Sequence, residues 1–68
     1  MDPLMRAIVN LKAEREKVAE SRARVVRDRN TAKERGKKMR LAKLVNKYDD
    51  RLEITDYVLN ILEHSKEE

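Results

Sequence analysis

The sequence predicts an all-α fold: an antiparallel helical hairpin of coiled-coil type that dimerises into a four-helix bundle. Three observations carry this expectation. The composition is that of long helices, because 44% of the 68 residues are charged and 40% apolar, glycine and proline occur once each, and phenylalanine, tryptophan and cysteine are absent. Apolar residues recur at alternating steps of four and three in both halves, the spacing that keeps one stripe of a helix against a partner. Between the halves lies RDRNTAKERGKKMR (27–40), which holds the only glycine and a capping pattern.

The first helix is expected over 3–34. Asp2 is a cap residue, and Pro3 at the first helical position gives up only an N–H that has no partner there. Its seam reads Leu4, Ile8, Leu11, Arg15, Val18, Arg22, Val25, Arg29 and Ala32. Every second seam position after Ile8 is arginine, so the seam is thin.

The turn is expected near 35–37. Gly36 suits a left-handed residue that ends a helix. The rival is Asn30 as a stop, followed by Thr31-x-x-Glu34 as the capping box of the next helix. A continuous helix through Gly36 is a third arrangement, since glycine in a helix interior costs only about 1 kcal/mol. A break at Asp49-Asp50 is the weakest reading, because the stripe crosses it in phase. A turn at Gly36 sets Ile8 against Leu62, Leu11 against Leu59, Val18 against Leu52 and Val25 against Val45. A turn at Thr31 shifts this by one heptad and leaves Leu59 and Leu62 without partners. The first register buries more apolar surface. It also brings Arg15 near Asp56 and Arg22 near Asp49, whereas Arg29 faces Leu41, with Lys43 close and no acid nearby.

The second helix is expected over 38–64, with a frayed acidic tail at 65–68. Its seam is Leu41, Val45, Tyr48, Leu52, Thr55, Leu59 and Leu62. Beyond that seam lie Ile54, Tyr57, Val58 and Ile61, and only the line Glu53, Asp56, Asn60, Glu63 is polar throughout. A helix apolar over most of its girth is buried on more than one side. The chain has no residues left for a third helix, so Ile54, Tyr57, Val58 and Ile61 are the expected self-association surface of a homo-oligomer, a dimer in the simplest case. Chains of this length bury only about 60% of their surface, and without cysteine no disulfide compensates.

Charge is segregated along the chain. Residues 1–21 balance, residues 22–47 carry eleven basic side chains against Asp28 and Glu34, and residues 49–68 are acidic on balance. In a hairpin this makes a basic tip and an acidic, apolar open end. Arg29, Arg35, Lys37, Lys38 and Arg40 are the candidate anion contacts, for nucleic acid or an acidic protein. No aromatic residue interleaves with them, so phosphate contact on a duplex fits better than base stacking on single strands. The plain alternative is a solvated face that keeps the protein in solution.

The stretch RDRNTAKERGKKMR, and Arg29-Asn30-Thr31-Ala32 within it, resembles the basic region of leucine-zipper transcription factors. That resemblance implies a continuous DNA-binding helix. Lys38 stands where that family has an arginine, and Gly36 interrupts the run. The segments AEREKVA (13–19) and NILEHSK (60–66) resemble the first and last helices of the small all-helical chorismate mutases, which implies an enzyme. The Asp-x-x-Arg stretch of that family is here Asp28 followed by Thr31.

No residue pattern specifies catalysis, a metal or a cofactor. His64 beside Glu63, Glu67 and Glu68 reads as a solvated helix end, and Ser21 and Ser65 have no base placed to activate them. No run of about 18 apolar residues spans a membrane, and the start lacks a signal-peptide plan. The expectation is a non-enzymatic, cytoplasmic interaction or regulatory module. It would self-associate and dock a macromolecular partner, with nucleic-acid binding through the basic tip as the alternative.

Overall fold

The structure, a computed structural model, describes residues 2–67, with side chains through Ser65. Two helices, α1 (Pro3–Thr31) and α2 (Arg35–Glu67), pack as an antiparallel hairpin, and no strand forms among the described residues. At about 1.5 Å per residue the 33 residues of α2 span roughly 50 Å. The long dimension of the molecule is 51 Å, so α2 alone runs its whole length.

Helix α1 starts as expected. The Asp2 carboxylate accepts from the Met5 N–H at 2.8 Å, and Pro3 takes the first helical position. It ends at Thr31, three residues before the predicted bound. Ala32 leaves the helix in an extended conformation, φ −68° and ψ 135°, while its N–H still reaches the Arg29 carbonyl at 3.3 Å. The Thr31 hydroxyl donates back to the carbonyls of Arg27 and Asp28 at 3.1 and 3.2 Å. Thr31 therefore finishes α1 and does not open α2, so the Thr31-x-x-Glu34 capping box is not formed.

The turn expected near 35–37 lies instead at residues 32–34. Gly36 is the second residue of α2, and no described residue has a positive φ. The reversal is made over three non-helical residues, with Ala32 extended, and uses no left-handed residue. Helix α2 then opens with the Glu34 carbonyl accepting from the Lys38 N–H at 3.0 Å. At its other end the helix continues through Ser65–Glu67, where a frayed tail was expected, and Glu68 lies outside the described residues.

The register is the one the seam favours, even though the turn is elsewhere. Arg15 pairs with Asp56 and Arg22 with Asp49, each pair one heptad from the other on both helices. Lys12–Glu63 at 3.0 Å and Glu14–Arg51 at 3.3 Å flank them. Ile8, Val18, Val45 and Leu59 are buried, and every other seam position except Arg15 is at least half-buried. The polar line of α2 has a specific use, because Asp56 and Glu63 face α1 and hold its cations.

Register and turn together leave an overhang. With Arg15 level with Asp56, Thr31 is level with Arg40, so residues 35–39 project about 7 Å past the end of α1. All of residues 33–40 are exposed.

Two stability outcomes follow from this packing. Ile8→Ala removes one of four buried side chains and should cost about 2–4 kcal/mol in denaturant unfolding. A loss under 1 kcal/mol would place Ile8 outside the core. At Gly36 an added Cβ meets nothing within 4 Å. Gly36→Ala should therefore stabilise α2 by roughly 0.5–1 kcal/mol, through helix propensity alone. The melting temperature should rise by several degrees, and a fall would put the chain reversal at Gly36.

Candidate functional site

Two surfaces at opposite ends of the hairpin carry the chemistry. The first is the outer face of α2 near the open end. Leu59 is buried against α1, and Tyr57, two residues earlier, points about 160° away from it. Ile54, Tyr57 and Ile61 are 64%, 68% and 48% exposed, and they follow the i, i+3, i+7 spacing of one helix face. Val58 is half-buried and lies between that face and the seam. The four residues expected to self-associate thus form three exposed members and one flanking member. Val9 and Met39 are the other exposed large apolar side chains among the described residues; Met39, expected from the sequence as adaptable packing, is 57% exposed.

The second surface is the tip. A groove of about 400 Å³ opens between the end of α1 and the overhanging start of α2. Arg29 and Asn30 form one wall, and Arg35, Lys38, Met39 and Ala42 form the other. Of the five expected anion contacts, the fold brings Arg29, Arg35 and Lys38 to this groove, while Lys37 and Arg40 are exposed outside it. Asn30, Met39 and Ala42 were missed. Arg35, Lys38, Met39 and Ala42 have one-face spacing, but this is legible only once α2 is known to begin at Arg35.

The electrostatics of the two ends differ in kind. The four cross-helix ion pairs lie between Lys12 and Arg22 on α1 and between Asp49 and Glu63 on α2. From Arg24 to Lys47 no basic side chain has an ion-pair partner among the described residues. The Asp56 carboxylate, by hydrogen bond first and charge second, pushes the Arg15 guanidinium above its usual range. Helix α2 has no acidic residue in its first turn, although Arg35, Lys37 and Lys38 sit at the positive end of its dipole.

The remaining features are modest. A second groove of about 320 Å³, lined by Glu14, Lys17, Val18, Ser21, Tyr48 and Arg51, is spanned by the Glu14–Arg51 pair. The His64 ring is held on its own helix, with Nδ1 2.7 Å from the Asn60 carbonyl. Among the described residues no three metal-ligating side chains gather, and no helix is long and apolar enough to cross a membrane.

The continuous basic helix implied by the leucine-zipper resemblance is broken at Ala32–Glu34. The two segments similar to chorismate mutases lie on α1 and α2 respectively. Comparison with protein-family models, with curated proteins and with solved structures finds no match to this chain.

Proposed function

We propose that the protein is a small, non-enzymatic interaction module that self-associates through the outer face of α2 and docks a macromolecular partner. One observation carries this reading. The hairpin is complete, yet α2 still presents Ile54, Tyr57 and Ile61 to solvent on the side away from α1. A second copy is the occupant that charge favours. Pairing hairpins side by side in parallel would bring two tips together, each with eleven basic residues against two acidic ones. A twofold axis crossing α2 near Tyr57 avoids this, because it lays the helices antiparallel and points the tips in opposite directions. Ile54 of each copy then meets Ile61 of the other.

Magnitudes set the strength of this dimer. Side chains already half-covered contribute roughly 1–2 kcal/mol each on full burial. Six of them give roughly 6–12 kcal/mol, and an association cost of about 4 kcal/mol leaves up to about 8 kcal/mol, the free energy of a micromolar Kd. The dimer is therefore expected to dissociate in the micromolar range. Sedimentation equilibrium should show mass rising from one chain to two across that range. Ile54→Glu with Ile61→Glu should leave a monomer of unchanged helicity. A wild-type monomer at 100 µM, roughly a hundredfold above that range, would overturn the reading.

A further inference from the structure

The ion pairs along α1 form a ladder with a missing rung. Arg15 meets Asp56, and one heptad on Arg22 meets Asp49. One heptad further the arginine is present as Arg29, but the position that would hold its carboxylate is Ala42. Arg29 and Ala42 both line the tip groove, and the small alanine side chain leaves room where an acid side chain would stand. Arg35 and Lys38 line the same groove, and none of these three cations has an ion-pair partner among the described residues. The groove thus offers two guanidinium groups and an ammonium group around a vacant acid position.

We propose that this groove binds a phosphate of a nucleic-acid duplex backbone, the phosphate occupying the position that Asp49 and Asp56 fill on the other two rungs. Planar guanidinium groups suit phosphate oxygens, and lysine adds a point charge. The cation field favours an extended polyanion over a single small ion. Lys33, Lys37, Arg40, Lys43 and Lys47 are exposed at the same end of the hairpin outside the groove, and they add a longer-range positive field that attracts a polyanion. The apolar lining is only Met39 and Ala42, which gives a peptide side chain little to anchor on. No aromatic side chain lies near the tip for unstacked bases, which favours a duplex over a single strand. The contact carries no base readout, so binding should be indifferent to sequence.

This proposal is independent of self-association, because the groove and the α2 face lie at opposite ends of the hairpin. The test is fluorescence anisotropy with a labelled DNA duplex and an RNA duplex of about 20 base pairs, from low to physiological salt. Wild-type protein should bind both in the micromolar range at low salt. Each phosphate contact should contribute about 0.9 to the slope of log affinity against log salt. Ala42→Asp supplies the missing rung internally and should lower affinity at low salt about tenfold, with helicity unchanged. Asn46→Asp makes the same change of charge one turn away, outside the groove, and should have a much smaller effect. Arg29→Gln should lower the slope by about 0.9, whereas Arg24→Gln should leave it nearly unchanged.

Equal losses in Ala42→Asp and Asn46→Asp would show a diffuse basic field and overturn the proposal. So would absence of duplex binding at low salt, or full competition by polyglutamate of matched charge. Should Ala42→Asp fail to fold, the comparison of Arg29→Gln with Arg24→Gln decides alone. The α2-face double variant, Ile54→Glu with Ile61→Glu, should retain duplex binding per chain.

Discussion

Arg15 and Arg22 occupy seam positions that a coiled coil ordinarily fills with apolar side chains, and each reaches a carboxylate one helix away, Asp56 and Asp49. These pairs are exposed, and pairs of this kind contribute only about 0–1 kcal/mol each. They do not hold the hairpin together. That falls to Ile8, Val18, Val45 and Leu59 and the half-buried seam around them. What the pairs decide is register. A heptad pattern can pack in more than one register, and the charge ladder penalises the slip that shortens the overhang, because that slip sets Arg22 against Ala42 without an acid. The opposite slip would give both arginines an acid, but residues 35–46 would then project past α1, about 18 Å, more than the linker 32–34 can span. The overhang in turn shapes the groove.

The two ends of the molecule use their charges oppositely. At the open end acids and bases are matched across the interface, and the surplus property there is apolar surface on α2. At the tip the bases are unmatched and concentrated on the first turns of α2, where the helix dipole disfavours them by about 0.3–1 kcal/mol each. Helix α2 begins with no acidic residue in its first turn. Stability alone would place an acid there. Arg29 with Ala42 in place of a third acid is the most specific form of this local cost.

Much of the hairpin was legible in the sequence. The alternation of four and three picked out a seam that is buried or half-buried at every position but Arg15. Matching apolar lines also anticipated the Arg15–Asp56 and Arg22–Asp49 neighbours. The turn was not legible, because glycine is a signal for left-handed backbone and this turn uses none. Ala32 simply goes extended, a conformation open to any residue and therefore without a sequence mark. The mistake at Gly36 hid the start of α2, and with it the spacing that joins Arg35, Lys38, Met39 and Ala42 in one groove. Composition located the basic cluster, but which members converge depended on three residues of helix boundary. The exposed α2 face was legible, since Ile54, Tyr57 and Ile61 exceed what one partner helix can cover.

The register of the hairpin is the claim on which the overhang and the tip groove rest. Because the chain has no cysteine, disulfide trapping reads that register directly. Glu14→Cys with Arg51→Cys replaces a flanking pair and leaves both arginine–aspartate rungs intact. The comparison is Glu14→Cys with Leu44→Cys, the pair that a slip of one heptad would bring together. In dilute protein under mild oxidation, the 14/51 pair should close rapidly to a product of single-chain mass, and the 14/44 pair should not. Faster closure of the 14/44 pair, or disulfides formed only between chains, would contradict the account.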